Sequence, residues 1–433
     1  MKQWNFVVAY KKCIRYENLF TRMQMLPDIV EIKPDVYFTG AFDPRIRTFD
    51  IIMKTANGSS YNSYIVRGSE GVAVMDTVKK EFSDDFFARL ERVCGYDEIR
   101  YIVLHHLEPD HSGALIELMA RAPRAKLIIS GRAVMMLKGI VKTDIAYEIA
   151  TAGTTISLGD KTIEFIMTPF LHWPDTMSSY LHEEKLLFSG DVFGSHYYDE
   201  RLFDDLVGDF SYAFHYYYDH IMRPFKQYVL QALKLYEKFD IDLIAPLHGP
   251  ILRSNPQSYI DKYGQWSSQA RFRKNEFNTK MLSVFYISSY DNTHKMAEMI
   301  TQGADEVEGI RASMYDLASL DESNMITLLE ESDAILIGSP TINGDAVKPA
   351  WDLLSCMAYL ERTGKIGATF GSYGWTGEAP EMLHERLKGL KFRLPLKPLK
   401  VKLIPSKEEL EACVAFGREA SEIAMGKMVE MDL

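Results

Sequence analysis

The sequence predicts an α/β protein of two domains, a layered domain with sheets between helices followed by a doubly wound parallel sheet. From about residue 36 to 251, short β-rich runs such as GVAVMDTV, IRYIVLHH and KTIEFIMTP alternate with turn signals and a few helical stretches. From residue 281 onward, five nearly continuously apolar runs alternate with helical segments, as expected for strands that are buried on both faces. The change between these two patterns indicates two domains.

A charged segment between the two patterns indicates where the domains meet. Residues 269–280, QARFRKNEFNTK, lack an apolar stripe and fit a linker or the end of a helix. We therefore place the boundary near residue 278, with a first domain of residues 31–278 and a second of residues 279–433. The first 30 residues are weakly patterned and are predicted to be an N-terminal extension.

The composition is that of an ordinary globular protein and argues against several classes of function. The 433 residues include 49 Lys and Arg against 60 Asp and Glu, a formal charge of −11 at pH 7, whereas binding to a phosphate backbone rests on clustered basic residues. No run of about 18 apolar residues is present to span a bilayer, and the start of the chain has no signal-peptide cleavage site. We expect a cytoplasmic protein that binds neither nucleic acid nor membranes.

The four cysteines, Cys13, Cys94, Cys356 and Cys413, are scattered along the chain and form no CxxC pair. Neither a zinc ribbon, a rubredoxin-type iron site nor a disulfide framework is therefore encoded. The cysteines are predicted to be buried thiols.

One loop carries four side chains of the types that bind metals. In IRYIVLHHLEPDHSG, His106, Glu108, Asp110 and His111 lie within six residues, directly after an apolar strand. Pro109 should keep this loop from continuing as a helix, so that alternate residues can point at one centre. A single histidine here would more often be an ordinary packed or surface residue, but four such side chains in one loop predict a metal site.

Three further candidates stand at the ends of other predicted strands. They are His172 in TPFLHWPDT, Asp191 in LLFSGDVFG and His248 in LIAPLHGP. Site residues of α/β proteins gather outside the carboxyl ends of the strands. Taken singly, Asp191 could be a turn or helix-capping residue and His172 a packed aromatic partner, but beside the first cluster all three are predicted ligands.

Seven ligands are too many for one metal and fit two. Each metal would have three terminal ligands, and Asp191 is the natural carboxylate to bridge them. Glu108, Asp110 and Asp191 contribute −3 against +4 from two divalent ions, and a bridging hydroxide would neutralise the remaining +1. Imidazole and carboxylate ligands without thiolate suit iron, manganese or zinc, and composition does not choose among these.

Three polar loops follow strands of the second domain and lie on the same predicted edge of its sheet. The first is a Ser/Asn/Thr turn before a helix, where hydroxyls and free backbone N–H groups make an anion site, although such a turn is ordinarily a helix cap. In the other two, glycines let the backbone approach a flat ring, and Tyr373 and Trp375 can cover a ring face unless they are packing anchors. The candidate residues are Ser288, Ser289, Tyr290, Asn292 and Thr293 in the first loop, Pro340, Thr341, Asn343 and Gly344 in the second, and Ser372, Tyr373, Gly374, Trp375 and Gly377 in the third.

The strings HHLEPDH, LHWPDT, SGDVFG and PLHGP resemble the metallo-β-lactamase-like fold in its flavodiiron branch, and the three loops resemble the FMN site of flavodoxins. Hydrolytic zinc members of the first fold typically have HxHxDH, whereas this chain has Glu108 at the second position, the family's mark of a non-haem di-iron centre. The chain is thus similar to flavodiiron proteins, or A-type flavoproteins, over nearly all of its length except the first 30 or so residues. The resemblance implies an αββα sandwich followed by a flavodoxin-like sheet.

The resemblance also implies the chemistry, in which FMN and two iron ions per chain reduce O2 to water, NO to N2O, or both. Tyr197 or Tyr198 could donate a hydrogen bond to bound O2 or NO, although adjacent tyrosines in an aromatic-rich segment more often pack. His111 is the least secure ligand, because the equivalent residue does not ligate in some family members. The implied ligands are His106, Glu108 and His172 for the iron nearer the flavin, Asp110, His111 and His248 for the other iron, and the catalytic bridge Asp191.

Assembly and partners follow from the same resemblance. The family forms head-to-tail homodimers, or dimers of dimers, that set the FMN of one subunit beside the irons of the other. Electrons would come from an external donor, a rubredoxin-like protein or a reduced deazaflavin, because the chain has no CxxC pair and no NAD-binding fingerprint. One departure is Asp291, where the family usually has glycine in the phosphate loop, and this carboxylate should point to solvent or weaken FMN binding.

Two other functions also fit parts of the sequence. The first is a zinc-dependent hydrolase of the metallo-β-lactamase fold with an accessory flavodoxin module, and Glu108 is the residue that discriminates against it. The second is an electron carrier whose metal site is only structural, which the carboxylate-containing ligand set without a closed cysteine-rich shell disfavours.

Overall fold

The computed structural model describes residues 29–49, 53–142, 145–277, 279–360, 362 and 364–426, with the backbone alone for residues 269–277. The predicted N-terminal extension, apart from its last two residues, and the predicted boundary at residue 278 lie outside these ranges. The chain divides into two compact units, Met1–Met222 with Lys226–Gly264 and Arg223–Phe225 with Gln265–Leu433. The division after Gly264 falls within a long helix, Pro256–Phe277, so most of the charged segment 269–280 is the end of a helix.

The first unit is built from β-strands with helices between them. Its strands are β1 (Val30–Lys33), β2 (Val36–Phe38), β3 (Ala41–Asp43), β4 (Thr48–Phe49), β5 (Met53–Lys54), β6 (Ser59–Tyr61), β7 (Tyr64–Gly68), β8 (Gly71–Met75), β9 (Ile99–Val103), β10 (Lys126–Ser130), β11 (Tyr147–Ala150), β12 (Thr155–Ser157), β13 (Thr162–Met167), β14 (Met177–Leu181), β15 (Leu186–Gly190) and β16 (Leu243–Pro246). Its helices are α1 (Ser83–Val93), α2 (Pro109–Ser112), α3 (Leu115–Arg121), α4 (Ala133–Ile140), α5 (Ser211–Tyr217), α6 (Lys226–Tyr236) and α7 (Pro256–Phe277), of which α7 continues into the second unit.

Two sheets of the first unit pack face to face. In the described ranges the larger has the strand order β1-β2-β7-β8-β9-β10-β11 and the smaller the order β12-β13-β14-β15-β16. Buried side chains of both sheets form one core, with Phe38 and Val103 from the larger meeting Phe165 and Phe188 from the smaller. The apolar faces of both sheets are thereby removed from water, which is the principal favourable contribution to folding. This confirms the predicted sandwich.

The direction of the strands in the smaller sheet explains where the candidate ligands gather. Strand β14 runs antiparallel to both β13 and β15, and β15 runs parallel to β16. The carboxyl ends of β13, β15 and β16 therefore lie at one edge of the sheet. His172, Asp191 and His248 all follow these strand ends.

The second unit alternates strands and helices. Its strands are β17 (Lys280–Tyr286), β18 (Ile310–Asp316), β19 (Ala334–Gly338), β20 (Thr341–Ile342), β21 (Asp345–Ala346), β22 (Ile366–Tyr373) and β23 (Leu399–Lys402). Its helices are α8 (Asn292–Asp305), α9 (Glu322–Glu331), α10 (Lys348–Cys356), α11 (Ala379–Gly389) and α12 (Lys407–Met425). Short helical turns elsewhere in the described chain span Lys80–Phe82, Tyr218–Met222, Arg223–Phe225, Leu317–Ser319 and Met357–Tyr359.

The main sheet of the second unit is parallel and buried on both faces. Its order over the described residues is β18-β17-β19-β22-β23, and each neighbouring pair is parallel. Val284 and Leu336 contribute to the core on one face, whereas the next residues along, Phe285 and Ile337, contribute to the core on the other. This explains why the central strands β17, β19 and β22 are nearly continuously apolar, whereas the edge strands β18 and β23 are only partly buried. The predicted doubly wound sheet is confirmed. The strand order reverses between β17 and β19, where ligands bind in such folds.

Three of the cysteines are described, and all three are buried free thiols as predicted. Burial raises the pKa of Cys94, Cys356 and Cys413 to about 12 in each case. Cys13 lies outside the described residues. Among the helices that the structure describes, none combines the length and the apolar character needed to span a bilayer.

Candidate metal centre and flavin site

The metal-type loop follows β9 and leads directly into α2. His106 and Glu108 precede the helix, and Asp110 and His111 lie within its single turn. The expectation that Pro109 would keep this segment non-helical is wrong, because Pro109 occupies the first helical position. Proline is favoured there, since its missing N–H has no helical partner in any case and its fixed φ suits the helix.

Three of the candidate ligands form a first group beside this loop. Their potential ligand atoms, from His106, Glu108 and His172, all lie within 4.8 Å of one another. Oε2 of Glu108 lies 3.0 Å from Nε2 of His106 and 3.2 Å from Nε2 of His172. A carboxylate oxygen and two imidazole nitrogens thus converge on one point.

Three others form a second group, which is fully buried. Asp110, His111 and His248 also place their potential ligand atoms within 4.8 Å of one another. Oδ2 of Asp110 lies 3.4 Å from Nε2 of His111 and 3.2 Å from Nε2 of His248. Both groups therefore have two imidazoles and one carboxylate.

Asp191 lies between the two groups and presents one carboxylate oxygen to each. Its Oδ2 lies 3.7 Å from Nε2 of His106 and 3.9 Å from Nε2 of His172. Its Oδ1 lies 3.4 Å from Nε2 of His111 and 3.7 Å from Nε2 of His248. The structure thus brings together all seven residues that the sequence singles out, with one carboxylate positioned to bridge.

Several of these atoms are buried without a hydrogen-bond partner. They include both carboxylate oxygens of Asp110, both ring nitrogens of His111 and Oδ2 of Asp191. Burying a polar group unsatisfied costs about 1–3 kcal/mol, and more when the group is charged. Cations held by the two groups would take up the carboxylate oxygens and Nε2 of His111, so the donor set fits a pair of metal ions.

The charges of the site are strongly coupled. Burial by itself would raise the pKa of Asp191, but the imidazoles of His111, His106 and His172 outweigh it and hold that pKa well below its usual value. Burial likewise opposes ionisation of His111, yet Asp110 and Asp191 raise its pKa to about 9. Without metals the Asp191 carboxylate is therefore ionised, and the proton on His111 partly balances its charge.

Two of the candidate ligand histidines make hydrogen bonds through Nδ1 to groups that the sequence did not reveal. Nδ1 of His106 faces both carboxylate oxygens of Asp175, each at 3.2 Å. Nδ1 of His248 donates to the backbone carbonyl of Ser60 at 2.7 Å. Such bonds leave Nε2 free to ligate and fix the orientation of the ring. Asp175 lies in the same LHWPDT string as His172, but its residue type alone carries no such signal.

A third tyrosine, which the sequence did not single out, lies at this site. The Tyr198 hydroxyl donates to Glu200 at 2.8 Å, and the ring of Tyr197 packs against Phe210 with 5.8 Å between centroids. A Cβ on Gly208 would lie 3.0 Å from the Tyr197 hydroxyl, so that hydroxyl lies beside Gly208. The hydroxyl that contacts Asp191 belongs instead to Tyr217, whose aromatic-rich surroundings concealed it in the sequence.

The three candidate flavin loops lie at one edge of the second sheet, because they follow the parallel strands β17, β19 and β22. Thr293 and Ser372 join the first loop to the end of β22 through a hydrogen bond of 2.9 Å between their hydroxyls. Thr341 accepts the N–H of Ala379 at 3.1 Å, which joins the second loop to the start of α11. The loops are thus brought together as predicted by the sheet direction.

The second loop is a short hairpin of β20 and β21. At its turn Asn343 has φ +55° and Gly344 has φ +76°, a conformation that Asn-Gly adopts readily in two-residue hairpins. Pro340, just before the hairpin, is buried. In the third loop Gly374 is partly exposed, and a Cβ on Gly377 would lie 2.9 Å from the ring of Tyr373.

The loops offer groups that fit a flavin nucleotide. The Ser288 hydroxyl is buried and has no hydrogen-bond partner, as expected of a donor for a phosphate. Tyr290 and Trp375 are 88% and 74% exposed, so their rings are available to cover a flat ligand. Ser289 is exposed, and Asn292 occupies the first position of α8 beside the anion-binding helix start.

Asp291 lies next to this candidate anion site and is exposed to solvent. Its φ is +66°, so Asp291 adopts the left-handed conformation that the family's glycine would otherwise supply. Its side chain is 56% exposed. His294 donates to its Oδ1 at 2.7 Å, and this bond is the main reason that the pKa of Asp291 is lowered. Of the two expectations for this carboxylate, the structure shows the one in which it faces solvent.

A sandwich of two sheets that collects two His/carboxylate groups, followed by a flavodoxin-like parallel sheet, defines a two-domain protein with a candidate dinuclear metal site and a candidate flavin site. Family models agree with both halves. The model described as "ODP family beta lactamase" matches residues 60–249, and the model for flavodoxin matches residues 284–417.

Known proteins resemble the chain over nearly its whole length. It is 51% identical over 401 residues to the type A flavoprotein fprA of Rhodobacter capsulatus, covering 92% of each chain. It is 34% identical over 397 residues to the anaerobic nitric oxide reductase flavorubredoxin of Salmonella arizonae, covering 90% of this chain and 81% of the relative. The solved rubredoxin oxygen:oxidoreductase of Desulfovibrio gigas aligns with a TM-score of 0.67 and 28% identity, covering 92% and 99% of the two chains. The chain belongs to the flavodiiron proteins, or type A flavoproteins, a family of oxidoreductases.

Proposed function

We propose that this protein reduces O2 to water, NO to N2O, or both, at a non-haem di-iron centre that receives electrons from FMN. The observation that carries the proposal is the position of Asp191, whose two oxygens face two separate His/carboxylate groups. The relatives support both substrates, since one is named an oxygen:oxidoreductase and another a nitric oxide reductase.

Iron is the metal that explains why a flavodoxin-like unit accompanies the metal site. Zinc has no redox chemistry, so a flavin would be idle beside a hydrolytic zinc pair. Glu108 places a carboxylate in the first group, with its Oε2 3.0 Å from Nε2 of His106. Imidazole with carboxylate is a usual donor set for non-haem iron.

Each side chain then has a defined task. His106, Glu108 and His172 would hold one iron, Asp110, His111 and His248 the other, and Asp191 would bridge them. Iron held by these residues would supply electrons to the gas substrate, and FMN would be the source of those electrons.

Tyr217 is a neutral hydrogen-bond donor beside this centre. Burial, reinforced by the charge of Asp191, raises the pKa of its phenol well above the ordinary value, so the hydroxyl stays protonated at neutral pH. It lies 3.3 Å from Oδ1 of Asp191. The hydroxyl therefore donates to the carboxylate and orients it.

Aromatic rings enclose the ligand groups. Trp173 meets His106 edge to face with 5.1 Å between centroids, and Phe49 meets His248 in the same manner at 5.5 Å. Such rings exclude water, and charges interact more strongly where water is excluded. The rings would therefore limit the access of water to metal ions held by these histidines.

FMN is proposed to bind at the three loops of the second unit. Ser288 and the start of α8 would receive the phosphate, the hairpin of the second loop would approach the ring by its backbone, and Tyr290 and Trp375 would cover the ring. Asp291 leaves this arrangement undisturbed because its charge is paired with His294 and Lys295.

We further propose an external electron donor and a head-to-tail homodimer. The four scattered cysteines provide no rubredoxin site in this chain, so a rubredoxin-like protein or a reduced deazaflavin would supply the electrons. The dimer can be tested by mixing a chain that cannot bind metal with one that cannot bind flavin. Mixed dimers should regain one working pair of sites, and complete lack of activity would count against the arrangement.

The first experiment is to measure the metal content of protein that is produced in iron-supplemented cells and purified without air. About two irons per chain, followed by oxidation of the reduced protein on anaerobic mixing with O2 or NO, is the expected result. Two zincs with little iron, persisting in protein from the native host, would instead favour the hydrolase.

A further inference from the structure

The two candidate metal sites differ in the charge that stands behind their histidines. Behind His106, both oxygens of Asp175 lie 3.2 Å from Nδ1. Behind His248 stands a neutral group, the carbonyl of Ser60, at 2.7 Å from Nδ1. Nδ1 of His111 is buried with no hydrogen-bond partner.

Asp175 is itself firmly held. Its side chain is buried, with the residue 1% exposed. Its Oδ2 accepts the N–H of Leu107 at 2.8 Å, and its backbone carbonyl accepts the hydroxyl of Ser130 at 2.6 Å. The carboxylate therefore cannot swing away from His106 without losing hydrogen bonds in the interior, which is costly.

The other charges do not distinguish the sites. Each group has one terminal carboxylate, Glu108 in the first and Asp110 in the second. Asp191 faces both groups at similar distances. Among the described hydrogen-bond partners of His248 and His111, nothing corresponds to Asp175, so one negative charge separates the two environments.

A carboxylate behind an imidazole makes it a stronger donor, because it withdraws the Nδ1 proton and raises the basicity of Nε2. The added negative charge also favours the more highly charged ion, and it does so strongly where the surroundings are dry. Both effects act on the group of His106, Glu108 and His172.

We propose that Asp175 is a positioning residue that makes this first site the one to hold the ferric ion when the diferrous centre has lost one electron, while the site of Asp110, His111 and His248 stays ferrous. The inference rests on the proposed di-iron function. In the oxidation considered, one Fe2+ becomes Fe3+ and the electron reduces ferricyanide to ferrocyanide. No bond to the protein forms or breaks.

The test is a stepwise anaerobic titration of the reduced holoenzyme with ferricyanide, with the flavin followed separately by its visible absorption. Asp175→Asn removes the charge and keeps the shape. We expect this variant to keep two irons, to show a higher midpoint potential for the first iron oxidation and to change the EPR spectrum of the half-oxidised centre. Unchanged potential and spectrum would overturn the proposal.

The chain offers a matched control in a second buried carboxylate–histidine pair. Asp76, also 1% exposed, lies 2.5 Å from Nδ1 of His105, and Nε2 of His105 bonds to Ser179 at 2.7 Å rather than facing the ligand groups. Asp76→Asn therefore disturbs the interior to a similar degree. It should leave the iron potential and EPR spectrum unchanged, and an equal shift in both variants would refute a specific role for Asp175.

Two further measurements keep the result decisive. If Asp175→Asn binds less iron, Asp175→Glu must restore both the iron and the potential, and failure of this rescue overturns the proposal. Diffraction across the iron absorption edge of half-oxidised crystals should show the ferric edge at the His106 site, and a ferric edge at the other site would contradict it. A wild-type protein that binds no iron pair would refute the proposed function itself, whereas an active wild type with a silent Asp175→Asn refutes only this inference.

Discussion

The Tyr217 hydroxyl lies 3.3 Å from Oδ1 of Asp191, and both residues are buried in the interior of the first unit. This pair joins the carboxylate positioned to bridge two metals to a phenol that remains protonated. Predictions about the site therefore begin with these two residues.

Tyr217→Phe should slow turnover without emptying the site. The substitution removes one hydrogen bond, which contributes roughly 0.5–1.5 kcal/mol, so we expect about a 2- to 10-fold fall in turnover with O2 or NO. Iron and FMN content should stay at the wild-type level. Tyr198→Phe is the control, because its hydroxyl contacts Glu200. Equal turnover rates in Tyr217→Phe and Tyr198→Phe would show that the Tyr217 hydroxyl does not contribute to the reaction.

Asp191→Ala should lose metal and reductase activity while FMN stays bound. Both groups lose the carboxylate that they share, whereas the flavin loops belong to the other unit. Iron analysis and the flavin absorption spectrum measure the two effects separately. The exposed Asp84, in the first turn of α1, provides a control as Asp84→Ala. Wild-type iron content in Asp191→Ala would refute the bridging role.

Metal uptake should release protons near neutral pH. The pKa of His111 is raised to about 9 in the metal-free protein, so its ring carries a proton that a metal must displace. Apparent metal affinity should therefore rise with pH and level off, as far as this group is concerned, near pH 9. In the metal-free protein the same shift stabilises the fold below the ordinary histidine pKa of about 6.5, and this stabilisation is lost as the pH rises through 9.

Anaerobic calorimetry with Fe2+ in two buffers of different ionisation enthalpy counts the released protons. His111→Asn should release about one proton fewer than the wild type, because it lacks the group that titrates. Identical proton release by the two proteins would show that His111 is not protonated in the metal-free site.

Ser288→Ala should weaken FMN binding without destabilising the metal-free and flavin-free chain. The hydroxyl has no internal partner to lose, whereas a hydrogen bond to a charged group contributes roughly 1.5–3 kcal/mol, so affinity should fall about tenfold or more. Fluorescence titration of the apoprotein with FMN gives the affinity, and thermal unfolding gives the stability.

Ser406→Ala is the matched control for this serine. Ser406 caps α12 in a capping box with Glu409, and loss of such a cap costs about 1 kcal/mol. This variant should lower the melting temperature and leave FMN affinity unchanged, the reverse of Ser288→Ala. A lower stability with unchanged FMN affinity in Ser288→Ala would show that Ser288 has a structural role only.

The sequence predicted most of the fold because burial leaves a direct trace in residue type. Val284 and Phe285 serve opposite faces of one sheet, and such strands stand out as unbroken apolar runs. The ligand candidates were predictable because four metal-binding residue types occur within one loop, and because the other three follow the ends of further predicted strands. The direction of the strands then brings them together.

What the sequence did not reveal are partners that act from a distance along the chain or through the backbone. The carbonyl of Ser60 is a backbone group that every residue carries, so no residue type marks it in the sequence. Asp175 and Tyr217 become recognisable only when the fold places them beside His106 and Asp191. The prediction for Pro109 was wrong because proline is found both where helices end and where they begin. The backbone shows that Pro109 begins a helix.

The shared carboxylate of Asp191 makes the two halves of the centre interdependent during maturation. Each half would take one ligand oxygen from the same side chain, so the carboxylate cannot move at one half without changing the coordination of the other. A metal that left one half would leave the other with a carboxylate held at one oxygen only. The centre therefore has to be assembled, and lost, as a pair of sites rather than as two independent ones.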